Sequence, residues 1–185
     1  GGGAGGVATI HPSLRAGRGV AGGARWGAGL GALIGDSKIW PASEYLAARR
    51  SDREQRHARF DDTAYNLEPN LKEGPGGLRA VDLIHWLGRR LFDAAGFPAL
   101  VKRGILSASE VAALEQAQAL LRRIRFALHL TAGRAEERLL FDFQRSLATQ
   151  FGFTDEHGQN LAVEQFMQGY YRAALVLARL RARFL

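Results

Sequence analysis

The side chains best able to do chemistry are gathered between Asp62 and Arg79, where the chain reads DTAYNLEPNLKEGPGGLR. Read with a period of two, Tyr65, Leu67, Pro69 and Leu71 share one face, and Asn66, Glu68, Asn70 and Lys72 share the other. The apolar face is suited to a core, and the opposite face lines up a carboxylate, two amides and an ammonium. That row is either a solvated strand face or a face turned toward a ligand. Pro69 cannot donate to a ladder, so the expected strand is an edge strand or carries a bulge. Gly74-Pro75-Gly76-Gly77 then leads directly into a helix. Amides of Gly76 and Gly77 can approach an anion unobstructed, the helix start adds its positive end, and Arg79 stands in the first turn. In that reading Glu68 is a candidate catalytic carboxylate and ligand for Mg²⁺, and Asn70, Lys72, Gly76, Gly77 and Arg79 are candidate phosphate-binding positions. The same residues also make a plain tight loop between a strand and a helix, so both readings stay open at this point.

The elements that must position this stretch are helical. Ser43 is placed to cap a helix to about Arg59, followed by an extended segment over Ala64–Lys72. Further helices are expected over Leu78–Phe92 and Phe97–Arg103, the latter ended by Gly104. Ser107 and Glu110 match a capping box. Behind them Leu114, Ala117, Leu121, Ile124 and Leu128 recur at spacings of three and four, one apolar stripe that Gly133 is placed to end. A helix over Asp142–Phe151 ends at Gly152, and the last runs from about Asn160, with Val163, Met167, Tyr170, Ala174 and Leu177 on one face. The basic residues near its end, Arg172, Arg179, Arg181 and Arg183, are read as a solvated face. Helices of this kind with short connectors predict a mainly α bundle, with a short β segment on its N-terminal side. Because the chain stops inside the last amphipathic pattern, it is expected to be part of a longer protein.

Composition narrows the function classes. The 185 residues contain no cysteine, which excludes disulfides and thiolate chemistry. Hydrophobic residues make up 46%, enough for a core. No run of about 18 apolar residues is present, so no membrane partner is expected, and a cytoplasmic location is the default. The net charge of +7 suggests nucleic acid, but the first 60 residues hold 9 of the 25 basic and only 4 of the 18 acidic side chains. The rest is nearly balanced, whereas a phosphate-backbone binder concentrates charge on its folded face. Residues 1–35 carry 13 of the 23 glycines and no periodicity, and are read as disordered or non-native sequence. His85 and His129 lie in apolar helical surroundings and are read as packed side chains. No pair of the five histidines has metal-site spacing.

The eighteen residues from Asp62 to Arg79 resemble the signature stretch of bacterial PII-protein uridylyltransferases, bifunctional enzymes of nitrogen sensing. Ile39-Trp40-Pro41 and Glu54–Arg59 before it, and Arg123–Leu130 and Arg138–Asp142 after it, resemble the same family in order. The resemblance covers about Ile39 to Leu185, far more than a lone short motif. It implies a polymerase β-like nucleotidyltransferase domain that moves UMP from UTP to a tyrosine of the PII signalling protein. A helical domain, an HD-type phosphohydrolase domain that removes UMP, and glutamine-sensing regulatory domains follow it. On this resemblance residues 36–79 are the end of the transferase domain and 80–185 the helical domain. Glu68 is then the candidate third carboxylate of a Mg²⁺-dependent site. UTP and PII are the implied partners, and glutamine acts only through domains outside this chain.

Three departures stand out. Residues 1–38 contain neither the Gly-Ser pair nor the Asp-x-Asp of the family's nucleotide site. Ala80 stands where the family has an aspartate, with Asp82 two residues on, and no His-Asp pair occurs. Since two-metal phosphoryl transfer needs several carboxylates, this stretch alone is expected to be catalytically incomplete. A helical module that docks PII or neighbouring domains, without touching nucleotide, is the alternative.

Overall fold

The computed structural model describes residues 66–155 and 161–184, together with Glu44, Ala47, Ala48 and Ser51. The expectations for 1–35, Trp40, Tyr65, His57 and His157 lie outside the described residues. So does most of the helix expected over Ser43–Arg59, although Glu44, Ala47, Ala48 and Ser51 are helical.

Among the described residues five helices follow residue 66: α1 (Leu78–Phe92), α2 (Phe97–Lys102), α3 (Ala108–Ala132), α4 (Phe141–Gln150) and α5 (Leu161–Ala182). Local chemistry sets their ends. At the start of α3 the Glu110 amide donates to Ser107 Oγ at 3.1 Å, and the Ser107 amide donates to Glu110 Oε2 at 2.7 Å, closing the capping box. Gly133, with φ of 65°, ends the same helix in the left-handed conformation that glycine adopts without penalty.

The stripe Leu114, Ala117, Leu121, Ile124 and Leu128 is buried throughout, joined by Val111. It meets the buried face of α5, formed by Phe166, Met167, Tyr170, Ala174 and Leu177, with Val163 only half-buried. α1 and α4 pack on α5 as well, so α3 and α5 form the spine. The end of α5 is not simply solvated. Arg183 pairs with Glu110 and donates to the Ile105 carbonyl at 3.1 Å, tying the last turn to the start of α3. Phe184 beyond it is buried edge-on against Phe92.

The architecture is mainly α, as expected, but the extended segment differs from its period-two reading. Among the described residues it makes one isolated antiparallel bridge, between Asn70 and Arg138, and no strand. Pro69 and Leu71 are buried, yet Leu67 is 65% exposed. The reason is side-chain competition for backbone amides. Asn66 Oδ1 accepts from the Glu68 amide at 3.0 Å, and Asn70 Oδ1 accepts from Lys72 at 3.0 Å and Glu73 at 2.7 Å. Both asparagines thereby turn the chain where a ladder needs it straight.

Candidate functional site

The first part of the 66–79 segment is held by elements distant in sequence. Gln144 of α4 is buried, and its amide nitrogen donates to the Leu67 carbonyl at 2.7 Å and to Leu139 at 3.0 Å. The Tyr171 hydroxyl donates to the Asn66 carbonyl at 3.2 Å. Backbone bonds from Leu71 to Glu137 (2.8 Å) and from Leu139 to Pro69 (2.9 Å) fasten the segment to the connector before α4. Leu71 is fully buried in the same core as the helices.

Glu68 lies at the start of α4. Its Oε1 accepts from the Phe141 amide at 2.9 Å, and its carbonyl accepts from Arg138 Nε at 3.3 Å. Leu140, the residue at the N-cap of α4, has no side-chain acceptor, so Glu68 supplies one from across the fold, where a negative group is also favoured by the helix dipole. Glu68→Ala is therefore expected to cost about 1 kcal/mol of stability, the usual price of a lost cap. Glu68→Gln, which keeps an acceptor oxygen, should cost less than half as much in urea denaturation. Equal losses would mean that charge, not the acceptor, is what this position requires.

The glycine loop is packed rather than open. The amides of Gly74, Gly77, Leu78, Arg79 and Ala80 all donate within it, to Asn70, Gly74, Leu71, Lys72 and Gly77 at 2.9–3.1 Å. Gly76 has φ of 72°, and a Cβ there would lie 2.0 Å from the Ala174 carbonyl oxygen of α5. A Cβ on Gly77 would lie 2.7 Å from the Lys72 carbonyl oxygen. Arg79 turns back onto Glu73, its Nε 3.2 Å from Oε2 and its terminal nitrogen 2.7 Å from Oε1. The first amides of α1 are thus already spent, and an anion here would be met mainly by side chains.

Lys72 leads to those side chains. With Leu78, Asp82, Gln118, Arg122 and Arg125 it lines a cleft of roughly 290 Å³ between the loop, the start of α1 and the middle of α3. Arg125 forms a two-pronged pair with Glu137, Nε to Oε2 being 2.7 Å. The hydrogen-bonded Arg125 guanidinium holds the Glu137 carboxyl below its usual range, helped by the charges of Arg125, Lys72 and His129.

A folded-state pKa depressed below the unfolded value of about 4.3 stabilises above that pH, and the contribution is lost as pH falls through the folded value. The wild type should therefore lose more stability than Glu137→Gln when pH is lowered from about 5 to about 3, measured by urea midpoints. Parallel losses in the two proteins would show that the pair contributes nothing across that window.

The face read from the sequence is thus divided. Glu68 serves α4, Asn70 its own turn, Gly76 the contact with α5, Gly77 the close packing of its own loop against Lys72, Arg79 pairs with Glu73, and Lys72 faces α3. Arg122, Arg125, Glu137 and Gln144 were not among the candidate site residues read from the sequence, where Arg122 figured only as a solvent-facing helix position. Gln118, Arg122 and Arg125, spaced by four and three, do form a legible polar stripe on α3. Glu137 and Gln144 carried no local signal. His85 packs edge-on against Phe97 with centroids 6.0 Å apart, and His129 Nε2 lies 3.8 Å from Glu137. Among the described residues no group of three His, Cys, Asp or Glu is placed to hold a metal ion. Magnesium takes about six oxygen ligands in strict geometry, so these residues do not by themselves make a magnesium site. Among the described residues no helix is long and apolar enough to cross a membrane.

Comparison with known proteins supplies the remaining observation. The family model described as GlnD PII-uridylyltransferase matches residues 44–185. The bifunctional uridylyltransferase/uridylyl-removing enzyme of Pseudomonas aeruginosa (strain LESB58) is 48% identical over 148 residues, 80% of this chain and 16% of that protein. Proteins of the same name from Stutzerimonas stutzeri and Azotobacter vinelandii are 41% and 42% identical over 172 residues, each covering 93% of this chain and 19% of theirs. The chain spans less than a fifth of the length of these curated relatives. No solved structure matches.

Proposed function

The chain belongs to the GlnD PII-uridylyltransferase family, and from that premise we propose that it is the helical part of an enzyme that transfers UMP from UTP to a tyrosine of the PII signalling protein. The observation that carries the reading is the family match over residues 44–185, which includes every helix of the bundle. In the whole enzyme this bundle presents Lys72 and the polar stripe of α3 to the transferase site. Glu68 remains the candidate late carboxylate, acting beside acids from outside the described residues. Its bond to the Phe141 amide would fix its orientation. PII and UTP are the partners, magnesium the metal of the whole enzyme, the cytoplasm its setting, and glutamine acts through other domains.

The chain alone is expected neither to transfer labelled UMP to PII nor to release it, because it has neither the Gly-Ser and Asp-x-Asp acids of the nucleotide site that two-metal transfer needs nor the His-Asp pair of the removing site. The direct test replaces the matching 148 residues of the Pseudomonas aeruginosa relative with this chain's sequence. UMP transfer to PII by the chimera at a rate comparable to the parent supports the reading. A folded chimera with no transfer sinks it, as does magnesium-dependent transfer by the 185-residue chain alone.

A docking role is favoured by one observation. Leu67 and Phe141, 65% and 57% exposed, border an apolar cleft with Val163, Met167 and Leu175 of α5. Apolar surface of this kind suits a neighbouring domain or PII itself. Loss of PII binding in Phe141→Asp, with nucleotide binding intact, would favour docking as the bundle's main task.

A further inference from the structure

We propose that the cleft between Lys72 and the middle of α3 binds the polyphosphate end of a nucleotide through Lys72, Arg122 and Arg125. The identity of that nucleotide as UTP rests on the function proposed above; the cleft itself does not.

Three cations from two separate elements line one concavity. Bringing like charges together is unfavourable unless something compensates them. Arg125 is compensated by Glu137. Among the described residues no side-chain hydrogen bond holds Arg122 or the Lys72 ammonium, and Glu137, which Lys72 also attracts, spends its hydrogen bonds on Arg125. Asp82, the only carboxylate among the described residues that line the cleft, is engaged in an interaction of its own. The cleft therefore carries a positive excess with two free donors, and Gln118 adds an amide at the same wall.

Chemistry and size select the ligand. An ammonium and a guanidinium fork together suit anionic oxygens spread over several atoms, as in linked phosphates, better than one small anion. A volume of roughly 290 Å³ lies at the bottom of the approximate 300–1,000 Å³ range of whole-ligand pockets. It seats a polyphosphate and leaves the nucleoside outside. The amides of Gly77, Leu78, Arg79 and Ala80, most of a glycine-loop cradle, are spent on the loop itself, which favours the face of α3 over the helix start as the anion site.

The test titrates the 185-residue chain with inorganic tripolyphosphate, and separately with UTP, by calorimetry at low salt. Lys72→Gln and Arg122→Gln should each weaken tripolyphosphate binding about tenfold, the worth of one charge-assisted hydrogen bond. Arg123→Gln, whose guanidinium lies over the Phe151 ring and outside the cleft, removes the same charge and should change affinity less than twofold. Unchanged melting temperatures confirm that the variants are folded.

No tripolyphosphate binding by the wild type overturns the proposal, as does equal affinity across Lys72→Gln, Arg122→Gln and wild type. An equal loss in Arg123→Gln overturns it too, because net charge rather than the cleft would then be responsible. The chimera separates this outcome from failure of the proposed function. Normal UMP transfer with an unchanged KM for UTP in Arg122→Gln removes the cleft and leaves the function standing. No transfer, with the tripolyphosphate pattern intact, does the reverse.

Discussion

Gly76→Ala is expected to destabilise the bundle by about 3 kcal/mol or more, among the largest effects of any single methyl group in this chain. Two costs add. Gly76 has φ of 72°, a left-handed conformation that charges an L-residue roughly 1–2 kcal/mol. The new Cβ would also lie 2.0 Å from the Ala174 carbonyl oxygen and 2.6 Å from its carbon. These are backbone atoms of α5, held by the helix's own hydrogen bonds, so no rotamer change relieves the overlap. The loop or the helix must shift, at a typical overpacking cost of about 1–3 kcal/mol.

Gly104→Ala is the matched control. Its φ is 68°, but a Cβ there meets nothing within 4 Å. It should cost only the conformational part, about 1 kcal/mol. Both are read from urea midpoints at constant slope. Equal losses would mean that the loop does not rest on α5 as described. The result bears on function as well, because it would show that packing alone requires glycine at 76, with no nucleotide present.

Leu121→Ala is expected to cost roughly 2–5 kcal/mol, from lost burial and the cavity left behind. Leu121 is fully enclosed at the centre of the α3 stripe. A domain of this size is stable by about 5–15 kcal/mol in total, so this one truncation removes a large share. Arg122→Ala, one residue on and exposed, should cost at most about 0.5 kcal/mol. The contrast locates two roles on adjacent residues: Leu121 holds the fold, and Arg122 is free to bind. An arginine variant as damaging as the leucine variant would displace the stripe and remove Arg122 from the cleft.

The parts of this protein legible in its sequence are those whose physics acts within one or two helical turns. The Ser107–Glu110 box, the stripe from Leu114 to Leu128, and the stops at Gly104, Gly133 and Gly152 were all readable, because caps and helical periodicity join residues three or four apart. Family membership was readable too, from the eighteen residues ending at Arg79 and the shorter stretches that follow in order.

The 66–79 segment shows where local reading stops. Its period of two predicted one polar face, but alternation says nothing about which partner each side chain will find. Glu68 found the amide of Phe141, 73 residues away, and the Leu67 carbonyl found Gln144, 77 away. Those bonds, with the turns made by Asn66 and Asn70, bent the chain out of a strand. The glycines at 76 and 77 read equally well as an anion cradle or as a tight loop. Only the approach of α5 to Gly76 shows what holds the backbone so close.

The sequence by itself thus determined the helices from Leu78 onward, their ends, most of their buried faces and the family, since each depends on residue type and short spacing. The tertiary structure alone decided that Lys72 would meet Arg122 and Arg125, some fifty residues on, while Arg79 turned back to Glu73. Charges interact through space and find their partners by distance, and packing α3 against the loop sets those distances.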